Sequence, residues 1–323
     1  MLMIWRRVTL AVLFALIVAA GASCGSSSPT KRTRPLVGVS LLTQTHAFYK
    51  ELEDALRAEA QVRGIDLVVV ACEMDPARQA AQMEDFVTQK VDAILAAPCD
   101  SNAIVPYLKK AEEAHIPVFT ADIAARGGTV VSHIASDNYE GGRLAARTLA
   151  QLIGGRGNVV IIDHPEVASV QDRTRGFEEA LRAYPEVKIV GRPSASGQRA
   201  KAMAVAEDML QANKKLNGIF AINDDSALGA LAVLEAAKRS DVVIVGFDAT
   251  PEAQEAIRRG SALKADIMQH PGDIGRMAIE TIAGHLAGRS VESIVAVPVN
   301  VVTAETLAAA AAPATPPAPA PAR

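Results

Sequence analysis

From residue 36 onward the chain alternates short apolar runs with stretches of helical period, and from residue 138 it does so again. LVGVSL at 36–41 has the composition of a buried strand. Phe48, Leu52, Leu56 and Ala60 then recur every four residues, the spacing of an amphipathic helix. Gly64 closes that helix and 65–71 is the next strand; Pro76 opens a second helix at the first-turn position that tolerates it. Further strands are expected at 93–97, 117–120 and 130–134, with a helix over 103–114. A long helix at 138–153 begins the second round, with strands at 159–162, 188–191, 218–222 and 242–246 and helices at 169–184, 198–212 and 225–237. Near-continuous apolar strands separated by helices pack as parallel sheets covered on both faces. Right-handed crossovers make each round doubly wound. The expected fold class is therefore α/β, with two doubly wound parallel-sheet lobes.

Such sheets bind ligands beyond the carboxyl ends of their strands. The residues at those places are polar. TQTHAFY follows the first strand at 43–49, Asp122 the fourth, Asp163, His164, Pro165 and Glu166 the sixth, Asn223, Asp224 and Asp225 the eighth, and Asp248 the ninth. Groups from both rounds should converge on one cleft. Asp122 or Asp248 can accept from two adjacent hydroxyls, and Arg173 can donate a fork of hydrogen bonds. Asn223 and Gln269 can each donate and accept, while Phe48 and Tyr49 offer apolar faces to C–H groups. A few convergent polar groups on an apolar wall describe a small-molecule pocket, here for a neutral polyhydroxylated ligand. Some of these residues also have plainer readings: Asp225 as the N-cap of the next helix, Asp163 as the cap of a turn, and one of Phe48 and Tyr49 as core.

Other chemistries find less support. With 33 basic against 36 acidic residues, a net charge of −3 and 4% aromatics, the chain offers neither a basic field nor stacking platforms for nucleic acid. No dinucleotide fingerprint or Walker loop is present, and GGRG at 154–157 sits at a helix end and reads as a turn. There is no G-x-S-x-G elbow and no H-E-x-x-H. The six His are dispersed; a His₂-carboxylate metal site would have to be assembled from His46, His164 and Asp163. A hydrolase built on Asp163 or Glu166 lacks a positioned nucleophile–base pair. Neither a cofactor nor a metal nor an enzymatic activity is expected.

At the amino end, Arg6 and Arg7 precede an uncharged, almost wholly apolar stretch over 8–20 and the small residues Gly21, Ala22 and Ser23. That is the pattern of a signal peptide over 1–23, too short for a membrane span. Cys24 follows directly and resembles the lipidated residue of a bacterial lipobox, with Gly21 where Leu is usual. Residues 24–35 would then be a lipidated tether, and the mature protein would work outside the cytoplasm, attached to the membrane through lipid only. Residues 308–323 are almost entirely Ala and Pro and are expected to be a disordered tail.

Three stretches carry a family resemblance: VVSHIASDN at 130–138, NDDSALGA at 223–230 and VGFDATP at 245–251, with PCDS at 98–101 as a weaker fourth. On these the folded part resembles the ribose-type solute-binding proteins of ABC sugar importers, a type I periplasmic-binding-protein fold related to the sensor domains of LacI-type repressors. The resemblance covers nearly all of 36–307. It implies two lobes joined by three crossing segments, here 36–136 with 270–297 and 137–269 with 298–307, and a sugar held between them. It also implies a membrane permease as partner, a monomeric protein and capture by lobe closure. By position, Asp122 and Asp248 look like the carboxylates that take sugar hydroxyls, Arg173 like the sugar-binding arginine, and Asn223 and Gln269 like the amide contacts. Phe48 and Tyr49 look like the aromatic pair beside the cleft.

Departures from the pattern bear on the ligand. Ribose binders usually have Asp-Arg after the fourth strand, where this chain has Asp122-Ile123. An aromatic is common before the helix at 198; here the segment ends in Gly197. His46 stands where Asn is common, His164 where an apolar residue is common, and Ala97 where ribose binders carry a polar residue. Two neutral imidazoles can donate to and accept from hydroxyls. A four- to six-carbon polyol or an unusual pentose is therefore expected rather than ribose. A binding module serving a signalling receptor or chemoreceptor would share the same sequence. In the family's sheet order the first strand lies between the second and third. That puts Cys72 and Cys99 two strand spacings apart, about 9–10 Å, beyond the roughly 7 Å that a disulfide spans; free thiols are expected.

Overall fold

The computed structural model describes residues 32–311. The first lobe begins with β1 (Leu36–Leu41), α1 (Ala47–Arg63), β2 (Asp66–Ala71), α2 (Pro76–Thr88) and β3 (Ala93–Ala96). It continues through α3 (Val105–Glu113), β4 (Val118–Ala121) and β5 (Ser132–Ser136). The second lobe follows with α4 (Asn138–Leu152), β6 (Arg156–Ile162), α5 (Ala168–Leu181), β7 (Glu186–Gly191) and α6 (Arg199–Ala212). Then come β8 (Leu216–Ala221), α7 (Asp224–Ala236), β9 (Val243–Asp248), α8 (Pro251–Arg258) and β10 (Leu263–Met268). The chain returns to the first lobe for α9 (Pro271–Leu286) and β11 (Ile294–Val297), then to the second for β12 (Asn300–Thr303) and α10 (Ala304–Ala311). The expectation of two α/β lobes holds.

Strand order is β11-β5-β4-β3-β1-β2 in one sheet and β12-β10-β9-β8-β6-β7 in the other. The two orders are the same when strands are matched by rank. β12 alone runs antiparallel to its neighbour. The central strands of each sheet are buried on both faces, which is why they read as unbroken apolar runs. In the first lobe α1 and α9 cover one face, and α2 with α3 the other. In the second, α4 and α5 cover one face and α6, α7 and α8 the other.

Local chemistry sets the element ends. Gly64, at φ 66°, takes the left-handed conformation that closes α1. Asp75 caps α2 by accepting from Ala77 and Arg78, with Pro76 behind it. Thr250 and Pro251 start α8 in the same way. α10 runs four residues past 307, because Pro313 is the first proline after Leu307. The signal peptide, Cys24 and the Ala/Pro stretch from 312 lie outside the described residues.

One expectation is overturned. Cys72 and Cys99 are joined as a disulfide, with Cα atoms 6.8 Å apart. The strand-spacing estimate fails because neither cysteine sits on its strand. Cys72 is one residue past β2 and Cys99 three past β3, and the two loops lean together over the end of β1. Cys72 donates its N–H to Leu41 O. Gln79 draws in the other loop, accepting from Cys99 N at 2.8 Å and donating to Ala97 O at 2.9 Å.

Candidate functional site

All nine residues singled out from the sequence line one cavity between the lobes: His46, Phe48, Tyr49, Asp122, His164, Arg173, Asn223, Asp248 and Gln269. Ile123 and Gly197 line it too. Sequence reasoning missed Leu42, Met74, Val167, Ser169, Val170 and Ile222. Space open to the centres of water molecules amounts to about 50 Å³.

Two carboxylates occupy matching corners. Asp122 directly follows β4 and Asp248 ends β9, the fourth strands of their sheets. Both take positive φ, 63° and 118°, a conformation that costs a non-glycine residue about 1–3 kcal/mol. The bend turns each carboxylate off the sheet edge into the cavity. Tyr49 donates its hydroxyl to Asp122 Oδ2 at 2.5 Å, while Asp122 Oδ1 is buried without a partner. Burial raises the Asp122 pKa, against the pull of Arg173 and Tyr49. Burial also raises the Tyr49 hydroxyl well above its usual range, helped by the Asp122 charge.

Asp248 Oδ1 accepts from Gln269 Nε2 at 2.7 Å, leaving Gln269 Oε1 buried and unpartnered. Burial, with repulsion from Asp224, pushes the Asp248 pKa well up. Behind it, Asp224 and Asp266 face each other as a hydrogen-bonded carboxyl pair. Burial brings Asp224 to about 6 and Asp266 well above its ordinary value. A single proton between Asp224 Oδ1 and Asp266 Oδ2 satisfies two oxygens that have no other donor. Their remaining oxygens hold the corner after Asp248, Asp266 taking Ala249 N at 3.0 Å and Asp224 taking Thr250 N at 2.6 Å.

Arg173 is delivered by a close helix crossing. A Cβ at Gly142 would overlap Arg173 O, and one at Gly176 would overlap Tyr139 O, so α4 and α5 touch backbone to backbone. The guanidinium lies over the Phe247 ring at 3.8 Å. It donates from Nε to Asn138 Oδ1 at 2.8 Å and from Nη1 to Ile222 O at 2.6 Å. Asp248 Oδ1 lies 4.0 Å from Nη1. Burial lowers its pKa, opposed by Asp248 and Asp122. This one cation offsets carboxylates from both lobes.

Asn223, not Asp225, caps α7: its Oδ1 accepts from Ser226 N at 3.0 Å. Its Nδ2 donates to Gly197 O at 3.0 Å, which leaves one N–H for the cavity. Asp225 is freed for a contact across the lobes, taking His46 Nε2 at 3.1 Å on one oxygen and Arg199 Nε at 3.0 Å on the other. Burial lowers the His46 pKa despite Asp225, and burial lowers His164 despite Glu166. Both imidazoles are thus neutral near pH 7 and can donate and accept. His164 Nδ1 sits 3.3 Å from where a Gly197 Cβ would be, so the imidazole fills the side of the cavity that Gly197 leaves bare. Asp163 accepts from His164 N and from Arg192 Nε, a turn and an ion pair. Phe48 and Tyr49 meet edge to face, both buried and both on the cavity. Among the described residues no cluster of His, Cys, Asp or Glu could hold a metal ion.

The model of the periplasmic binding protein domain matches residues 37–290. The chain belongs to that family. The ribose import binding protein RbsB of Escherichia coli (strain K12) is 34% identical over 280 residues, covering 86% of this chain and 94% of the relative. A xylitol-binding protein of Mycolicibacterium smegmatis is 28% identical, over 76% and 72% of the two chains. A solved solute-binding protein from Mycobacterium smegmatis with bound glycerol superposes with a TM-score of 0.82 at 33% identity, over 87% and 98% of the chains. Members of the periplasmic binding protein family are extracytoplasmic substrate-binding proteins of ABC transporters, not enzymes. No described helix of this binding protein is long and apolar enough to cross a membrane.

Proposed function

We propose that this binding protein captures a small polyol, or a compact pentose, between its two lobes and delivers it to an ABC permease. The observation that carries the reading is that two residues lining the cavity, Asp122 and Gln269, each hold a buried acceptor without a donor, Oδ1 and Oε1. Each costs about 1–3 kcal/mol while unpaired, and in this reading ligand hydroxyls reach them as the cavity adjusts around the ligand. His46, Phe48, Tyr49, His164, Arg173, Asn223 and Asp248 complete the proposed binding set.

Size and shape narrow the class. The space open to water centres, about 50 Å³, is that of a compact small-molecule site. Gly197 supplies no ring face, and an acyclic ligand needs none. A xylitol-binding relative and a glycerol-bound solved structure support the polyol class, while ribose import binding proteins, at up to 34% identity, make ribose the comparison the test must include.

In this reading ligand bridges the lobe 36–136 with 270–297 and the lobe 137–269 with 298–307, and favours the closed form through contacts made by both. The protein acts as a monomer, held beside its permease by lipid on Cys24. Thermal shift of the mature chain against tetritols, pentitols, hexitols, pentoses, hexoses and amino acids tests it. At one hundred times Kd a ligand of the native state adds about 2.7 kcal/mol. Four- and five-carbon polyols should raise the Tm and ribose should not. Stabilisation by ribose alone would overturn the polyol assignment. No response to any carbohydrate would overturn carbohydrate capture and favour a receptor-linked role with another ligand.

A further inference from the structure

Each half of the disulfide stands two residues before a first-lobe residue that reaches the second lobe. Two residues after Cys72, Met74 lines the cavity and takes Gln198 Nε2 on its sulfur at 3.3 Å. Two residues after Cys99, Ser101 donates its N–H to Glu166 O at 3.1 Å and accepts from Ala168 N on Oγ at 2.9 Å. One covalent bond therefore ties together two separate points of closure.

The Cys72 side needs holding. Glu73 and Met74 are consecutive non-glycine residues with φ of 51° and 60°. Such left-handed pairs persist only where the surroundings over-determine them. The hydrogen bonds on this corner are Met74 N to Leu42 O at 3.1 Å and Asp75 N to Cys72 O at 3.1 Å. From the same corner, Glu73 takes Thr43 Oγ1 at 2.7 Å and Gln44 N at 3.1 Å, so its position is passed on to the loop that carries His46.

We propose that the Cys72–Cys99 disulfide is a positioning clamp for lobe closure, setting Met74 and Ser101 in place before ligand arrives. The clamp rests on the reading of the cavity as a carbohydrate site. Its effect is preorganisation: without the bond, ligand must order both loops at the moment of closure. Two ordered segments correspond to about tenfold in affinity, carried by faster dissociation because the loops contribute only once the lobes have met. Looser placement of Met74 also blunts discrimination between four- and five-carbon polyols.

The test compares oxidised protein with wild type reduced by a phosphine and with the C72S/C99S double variant; the reduced wild type serves if the variant misfolds. Hydrogen exchange on ligand-free protein reads the loops, and calorimetry with stopped-flow dissociation of xylitol and erythritol reads capture. The clamp predicts faster exchange confined to 72–75 and 99–101, a Kd about tenfold weaker, and an unchanged association rate. Unchanged exchange at both loops overturns it, as does faster exchange with unaltered Kd. Loosened loops in a protein whose oxidised form binds no carbohydrate would overturn the site reading instead, so the two failures are distinguishable.

Discussion

Arg173 works through fixed geometry rather than charge alone. Its Nε and Nη1 are committed to Asn138 and Ile222, and its plane lies on Phe247, so the charge stands at one height between Asp122 and Asp248. Lysine keeps the charge but neither the fork nor the plane. Arg173→Lys should weaken ligand binding by about 2 kcal/mol, roughly thirtyfold, measured by calorimetry. Asp122 and Asp248 were legible in the sequence because strand ends in an open α/β sheet point at the ligand, whereas Arg173, inside α5, was legible through the family resemblance. Met74 and Ser169 were not, since a loop's lean and a helix's rotation decide whether they reach the cavity. The disulfide was missed for the same reason: sheet order fixes strand spacing, not the paths of loops beyond it. Asp225 was misassigned because Asn223, two residues earlier, is an equally good cap.

At the scale of elements, the crossing of α4 on α5 depends on having no side chain at two places. Gly176→Ala drives a methyl group into Tyr139 O, and backbone on both sides leaves little room to yield. The variant should lose about 3 kcal/mol in denaturant unfolding. It should also weaken ligand binding, because α5 carries Arg173. Strand and helix positions from 36 to 246 were readable to within a few residues, since burial on both sheet faces leaves a continuous apolar run; the elements from α8 onward were not read. The glycines of the crossing gave no such signal: Gly142 and Gly176 sit in different helices, and only their contact assigns them a purpose. α10 outlasts the expected end of the fold because alanine is a strong helix former and proline is not yet present.

The stability of the whole molecule carries opposing proton terms. His133, half-buried in β5 beside Thr120, is lowered to about 4 mainly by desolvation. Folding thus favours its neutral form; that contribution is complete above pH 6.5 and is lost as pH falls towards 4. Asp224, raised to about 6, has the opposite sign: its contribution is complete below 3.8 and is lost as pH rises through 6. The two largely offset between pH 4 and 6, and the difference between variants isolates one of them. His133→Asn should gain about 3 kcal/mol on wild type when unfolding at pH 4 is compared with pH 7. Two similar lobes were visible in the doubled rhythm of the sequence. The way the chain closes on itself was visible only through family resemblance, because a short edge strand such as β11 has no periodicity of its own.

That closure governs the order of assembly during synthesis. The second lobe receives β6 through β10 as one uninterrupted segment and can bury most of its sheet while it emerges. The first lobe is begun earlier but has to wait: α9, which packs on α1, and β11, which pairs with β5, come from 271–297. Its α1 face stays open until nearly the whole polypeptide exists. Contacts this distant along the chain form slowly, so the first lobe stays incomplete, with an apolar face uncovered, until the chain has grown past Val297.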